Sequence, residues 1–433
     1  MLQQVEGSQA VAEAVAACRP RVVCAYPITP QTHIVEALGR MVRSGALAPC
    51  RFLNVESEFA AMSVAIGASA TGARVYTATA SQGLLFMAEA VYNAGGLGLP
   101  VVMTLADRAV GAPINIWNDH SDAMAVRDAG WVQLFASSNQ EAVDQHVLAF
   151  RLAEELSVPV MVCMDGFVLT HATEAVSVPD PSDVDAFLPP FRPRQVLDPA
   201  DPMSIGAMVG PEAFTEVRYL AHLRMLAALD RVPALAAELG ERVGRPVPAL
   251  VAPYRLQGAD VALVAMGSVL GTIADAVDAL RDAGHRVGAL GVTTFRPFPA
   301  AAVRDALGAV PSVVVVDRAF SPGFGGVLAT DVAMALAGAD VPVASVVAGL
   351  GGRPVTEASL RRLAERALDG SLEALSFLDL DRPAVEAALA ADGSARPTGP
   401  TAESVLRHRG ARSRRPPGSP GTPAGPTSTE VAS

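Results

Sequence analysis

Two glutamates, Glu56 and Glu58, stand in the string VESEFAAMS, where a short apolar run gives way to a helix-like pattern. Carboxylates at a helix N-terminus are favoured by the dipole and by free N–H groups, so a capping pair accounts for the position. The apolar residues that follow, Phe59 to Met62, place at least one of the two against a dry surface. A buried carboxyl there would keep a proton or hold a strong hydrogen bond to a ligand nitrogen. Arg108, in VVMTLADRAV, lies just past another apolar run. An ion pair with Asp107 or another acid fits it, and so does a bidentate clamp on a small carboxylate. The loop APINIWNDHSD gathers Asn115, Asn118, Asp119, His120 and Asp122. Its spacing matches no standard ligand set, so a solvated loop is expected rather than a metal site. The Gly-rich pieces at 323–326 and 349–352 lack a G-x-G-x-x-G match and give little support to a dinucleotide site.

The elements that must position these residues read as α/β. Apolar strands are expected at Val22–Tyr26, Phe52–Val55, Arg74–Ala78, Pro100–Leu105, Trp131–Ala136 and Val158–Met164. Between them lie helices: one with Thr29 as N-cap and Pro30 at its first position, one capped by Ser57, one over Gly83–Ala94, and one opened by Asn139. Repeated β-α-β with apolar strands means a parallel sheet covered on both faces, with ligands at the carboxyl ends of its strands. Thr29, Glu56–Glu58, Ser81–Gly83 and Asp107–Asp122 all fall there. Residues 166–255 are Pro-rich and then helical near Glu212–Leu239, reading as an extended arm. A second α/β unit occupies 256–375, and residues 393–433, rich in Pro, Gly, Ser and Arg, are expected to be disordered.

Composition narrows the functions. The 433 residues suggest two or three domains at about 150 residues each, with 51% apolar and 18% charged residues. No run of about 18 uninterrupted apolar residues suggests a membrane span, and the first residues show no signal-peptide pattern. A net charge of -11 argues against nucleic-acid binding. All 33 basic residues are Arg, so lysine Schiff bases and a P-loop lysine are excluded. The four cysteines show no CxxC spacing, which argues against zinc ribbons and Cys₄ clusters and fits a reducing compartment such as the cytoplasm.

The strings AYPITPQT, VESEFAAMSVAIGASATGARVYTATASQGL and APINIWNDHSD resemble the alpha subunit of pyruvate:ferredoxin oxidoreductase, in the 2-oxoacid:ferredoxin oxidoreductase family. MSIGAMVGPEAFTEVRY and TTFRPFP carry the resemblance into the arm and the second unit, over about residues 5 to 370. It implies a pyrimidine-side thiamine-diphosphate domain over 1–165, followed by a transketolase-C-like domain over 256–375. It also implies oxidative decarboxylation of pyruvate to acetyl-CoA and carbon dioxide, with electrons passed to ferredoxin. Glu58 matches the glutamate that bonds N1′ of the aminopyrimidine, with Pro27 and Ile28 lining the same cofactor site. Arg108 matches the arginine that holds the substrate carboxylate, and Thr29 the threonine near the substrate carbonyl.

Thiamine enzymes usually hold the diphosphate through magnesium with a GDG followed by an Asn. Here the nearest string is Met164-Asp165-Gly166, and no Asn follows Asn139. The resemblance therefore places the diphosphate and Mg²⁺ on a beta subunit and the [4Fe-4S] clusters on other subunits, among them gamma and ferredoxin-like delta chains. The same chemistry on 2-oxoglutarate, 2-oxoisovalerate or an aryl glyoxylate is the first alternative. A non-catalytic scaffold subunit is the second, and the joint presence of Glu58, Arg108 and Thr29 argues against it.

Overall fold

The computed structural model of the protein describes residues 2–392 and 405–406. The expected disordered tail from 393 onward otherwise lies outside the described residues. Residues up to Leu378 form one unit, and Asp379 onward form another, whose described part includes the helix Arg382–Asp392.

Two sheets organise the larger unit, as the α/β reading expects. The first has seven strands in the order Thr294–Arg296, Val132–Phe135, Val160–Asp165, Val101–Asp107, Val75–Thr79, Val22–Ala25 and Arg51–Asn54. All pair in parallel except Thr294–Arg296. The second has six strands, ordered Leu375–Phe377, Val343–Val347, Ser312–Asp317, Val261–Ala265, Val287–Val292 and Val251–Tyr254, the last antiparallel. The central strands Val101–Asp107, Val160–Asp165 and Val261–Ala265 are buried along their whole length. Their β-branched and aliphatic side chains are what a sheet covered on both faces requires. Thr294–Arg296 leaves the end of Val287–Val292 in the second sheet and pairs with Val132–Phe135 in the first, so one short segment stitches the two together.

Three apolar clusters fill the unit. The first lies between the sheets and takes in Met62, Met87, Trp131 and Phe295. The second covers the other face of the first sheet, under the helices Gly7–Ala17, Thr32–Arg43 and Asn139–Leu156. It also receives Ala228, Val232, Leu235 and Leu239 from the long helix Phe214–Val243, whose N-terminal half leaves Phe214, Tyr219, Leu220 and Leu223 exposed. The third lies beneath Val269–Asp282 and Glu357–Leu368.

Several expected boundaries move. The helix after the first strand begins at Thr32, not at Pro30, and Thr29 is not its cap. A turn intervenes, closed by Gln31 N donating to Ile28 O and Gln31 Nε2 donating to Tyr26 O. The expected Gly83–Ala94 helix is two helices, Ser81–Phe86 and Ala88–Leu97, separated at Met87. The cap of Asn139–Leu156 is Ser138, whose hydroxyl accepts from Glu141 N. The helix expected near Glu212–Leu239 runs on to Val243 and stops where Gly244 turns left-handed.

Candidate active site

The carboxyl ends of the first sheet's strands gather the sequence-predicted residues. Ser57 caps the helix Glu58–Ala70 through Ala60 N at 3.2 Å, and this fixes Glu58 at the first helical position. Glu58 is buried as a residue, whereas Glu56 is exposed, so the structure separates the pair. No hydrogen-bond partner for the Glu58 carboxyl appears among the described residues. Its neighbours are Gly83 and Thr79. A Cβ on Gly83 would lie 2.7 Å from Glu58 Oε1 and 2.6 Å from Thr79 Oγ1. Thr79 Oγ1 is itself buried and unpartnered. An unpaired carboxyl, an orphaned hydroxyl and bare backbone side by side suit a flat, nitrogen-bearing ring that supplies the missing partners.

Arg108 stands on the same edge, past the strand Val101–Asp107, and is mostly buried. Its guanidinium makes no ion pair among the described residues. It donates to Thr29 O at 2.8 Å, to Asn115 O at 3.3 Å and to Gln82 Oε1 at 3.4 Å. An N–H on each terminal nitrogen stays uncommitted. Thr29, Tyr26 and Pro27 are exposed and Ile28 is half-buried on the turn that offers the Thr29 carbonyl. The structure thus brings Thr29 to Arg108 through its backbone.

The expectation of a solvated 112–122 loop holds for residues 112–117, which are exposed apart from the half-buried Asn115, and is overturned from Asn118 onward. Asn118, Asp119, His120 and Asp122 are all buried, because loops of the second sheet close over them. Gly352 N donates to Asn118 O, Gly351 N donates to Asp119 Oδ2, and His120 N donates to Arg318 O. Gly351 and Gly352 have positive φ, and a Cβ on them would strike Asn115 and Trp117, which is why this contact needs glycines. The Gly-rich turn at 349–352 is therefore a docking surface for the loop.

Asp107, His120 and Asp165 bring ligand-type atoms within 4.8 Å of one another. Asp107 and Asp165 are register partners at the ends of adjacent strands. The Arg318 guanidinium already occupies a cation's place there, 2.7 Å from Asp165 Oδ1, while His120 Nε2 and Ser268 N also contact that carboxylate. Burial pushes Asp165 up, but Arg318 and His120 outweigh it and hold the group far below the usual carboxylate range. Asp107 has no such partner. Burial, Asp122 and Asp165 push it well above its ordinary value, and both its oxygens lack hydrogen bonds.

Sequence reasoning named the segment Ser81–Gly83 without giving Gln82 or Gly83 a role, and it did not single out Thr79 or Arg318. Gly83 and Gln82 lie in the segment after the third parallel strand, so the rule about strand ends did point to their neighbourhood. Arg318 carried no signal, because its partner Asp165 is far away in sequence.

Two largely parallel sheets, with a buried helix-start glutamate facing bare backbone at the strand ends of the first, make this an α/β protein with a candidate ligand site at that edge. Residues 13–235 match the profile described as "Pyruvate flavodoxin/ferredoxin oxidoreductase, thiamine diP-bdg", and residues 259–360 match "Pyruvate:ferredoxin oxidoreductase core domain II". The chain belongs to the pyruvate:ferredoxin oxidoreductase family. It is 46% identical to pyruvate synthase subunit PorA of Methanosarcina barkeri, over 87% of this chain and 96% of that protein. It is 44% identical to the PorA of Methanothermobacter thermautotrophicus, over 84% and 95%. Against the ketoisovalerate oxidoreductase subunit VorA of Pyrococcus abyssi the identity is 40%, over 83% and 92%. Among solved structures, 2-oxoglutarate:ferredoxin oxidoreductase from Magnetococcus marinus superposes with a TM-score of 0.67 at 18% identity, over 85% of this chain and 65% of that one. A split-gene transketolase superposes at 0.51 and 14%, over 85% and 99%. These two likenesses concern the fold.

Proposed function

We propose that this chain is the alpha-type subunit of a pyruvate:ferredoxin oxidoreductase, holding the aminopyrimidine end of thiamine diphosphate and the substrate carboxylate. The observation that carries the reading is the unpaired Glu58 carboxyl against Gly83, on the sheet edge that also bears Arg108. Glu58 would accept the hydrogen bond of a ring nitrogen, in a dry place where such a bond is strong. Arg108, pinned by Thr29 O and Asn115 O, would present its spare N–H groups to the 2-oxoacid carboxylate. Thr29, with Pro27 and Ile28, would line the open side of the site. Bound thiamine diphosphate supplies the electron sink that cleavage between the 2-oxo carbon and its carboxylate requires.

The diphosphate and its magnesium fall to a beta subunit in this reading. Asp165, in the string nearest to a GDG, is committed to Arg318, His120 and Ser268 and has nothing left for a metal. Tyr26, Phe59, Phe86, Ile114 and Trp117 leave an apolar rim exposed around the site, as a surface awaiting a partner chain does. Gamma and delta subunits would carry the clusters, ferredoxin would take the electrons and coenzyme A the acetyl group. Residues 1–165, 166–255 and 256–375 are read as the pyrimidine-side domain, the arm and the transketolase-C-like domain. No helix among the described residues is long and apolar enough to cross a membrane. Four free cysteines suit the cytoplasm.

Co-expression with the neighbouring subunits and assay of several 2-oxoacids with coenzyme A and a viologen dye tests the reading. Pyruvate is expected to give the highest kcat/KM, and Glu58→Ala to abolish turnover. Full activity in that variant, or a clear preference for 2-oxoisovalerate, would defeat it.

A further inference from the structure

We propose that Asp122 is a positioning residue for substrate binding, acting through Arg108. The inference rests on the reading of Arg108 as the carboxylate clamp. Asp122 is fully buried. Its Oδ2 accepts Ser81 N at 2.8 Å and Arg108 N at 3.0 Å, and its Oδ1 accepts Ala123 N at 2.9 Å.

Those bonds fall where the sheet stops supplying any. The strands Val75–Thr79 and Val101–Asp107 are paired up to Thr79 and Leu105. Beyond that point Ser81 opens a helix and Arg108 enters the loop, and a single carboxylate takes both N–H groups. Ser81 also has φ +50, a left-handed conformation that a serine keeps only where its surroundings hold it. Its hydroxyl adds a second tie, donating to Ala109 O at 2.6 Å. The next residue, Gln82, receives Arg108 Nη2. Asp122 therefore fixes the backbone from which the Arg108 side chain projects, and with it the turn that supplies one of the guanidinium's three acceptors.

Every partner is an N–H, so the group must accept at both of its terminal atoms, which a carboxyl does and a carboxamide nitrogen cannot. Asp122→Asn keeps the shape but turns an NH₂ toward at least one of those donors. The test is a double-mutant cycle in the assembled complex, with Asp122→Asn, Arg108→Ala and the double variant. Asp122→Asn is expected to raise KM for pyruvate by about ten- to a hundredfold, with a smaller fall in kcat. In the Arg108→Ala background it is expected to add little, because the group it positions is gone. An unchanged KM in Asp122→Asn, or effects that multiply in the double variant, would overturn the inference and leave the function reading intact. An unchanged KM in Arg108→Ala would remove the substrate assignment and this inference together. Should Asp122→Asn fail to assemble, amide exchange in the unmodified complex decides. Protection of Ser81 and Arg108 far above that of residues 111–115 supports the role, and equal exchange refutes it.

Discussion

Glu58 and Gly83 face each other so closely that a methyl group on the glycine would fall 2.7 Å from the Glu58 carboxylate. Gly83 lies inside the helix Ser81–Phe86, where alanine has the better helix propensity by about 1 kcal/mol. The glycine thus costs local stability and returns open space beside an unpaired carboxyl. Gly83→Ala is expected to weaken thiamine diphosphate binding to the complex about a hundredfold, by displacing Glu58 or filling its approach. Isothermal titration with the cofactor measures this, and unchanged affinity would show that the ring lies elsewhere.

Glu58→Gln separates chemistry from fold. The Glu58 carboxyl has no partner among the described residues, so the fold loses only a helix-dipole interaction, worth at most about 1 kcal/mol. Turnover is expected to fall by at least about 100-fold, in the range for removing a positioned acid or base. A thermal melt of the chain and a dye-linked assay of the complex should therefore diverge. A parallel drop in both would make Glu58 a structural residue.

Much of this arrangement is readable in the chain, and the rest is hidden for identifiable reasons. Ser57 and the fully apolar strands announce themselves because caps and continuous β-branched runs are local signals. The apolar residues after Glu56 and Glu58 demand burial of at least one of the two, and the family resemblance is what selects Glu58. Thr29 is misplaced because a Thr-Pro pair before an amphipathic run has the same pattern whether it caps the helix or forms the turn ahead of it. The buried half of the 112–122 loop reads as solvated because Asn118, Asp119 and His120 are bonded to Arg318, Gly351 and Gly352, more than 190 residues away. No pattern within the loop records partners at that distance.

Arg318 is the side chain that joins this loop to both sheets. It contacts Asp165 Oδ1 at 2.7 Å and Asn118 O at 3.3 Å, and its carbonyl accepts His120 N. Arg318→Met would leave Asp165 buried with His120 and Ser268 N but without its main counter-charge. Breaking a buried pair from one side costs about 3–5 kcal/mol, so the urea midpoint of the chain is expected to drop clearly. A midpoint within error of the unmodified chain would mean that Asp165 sheds its charge once Arg318 is gone.

The buried acids set the direction in which stability changes with pH. Burial pushes Asp122 and Asp317 up to about 7 and pushes Asp107 well above its ordinary value. In the unfolded chain aspartates titrate near about 3.9. Between about pH 4 and 7 the folded chain therefore keeps protons that the unfolded chain has released. The stability from these groups is complete below about pH 4 and is lost as pH rises through 7. Asp165 has the opposite sign. It is held far below the ordinary range, so its contribution is present above about pH 4 and fades only under that value. Near neutrality the raised acids dominate, so the urea midpoint is expected to be higher at about pH 5.5 than at about pH 7.5 at constant ionic strength. Asp317→Asn should flatten that slope, because Asp317, at the end of a strand of the second sheet, is one of the raised acids and makes no contact with Glu58 or Arg108. A midpoint that rises with pH across this window would mean that these carboxylates stay ionised in the folded chain and that partners stronger than the backbone N–H groups hold them so.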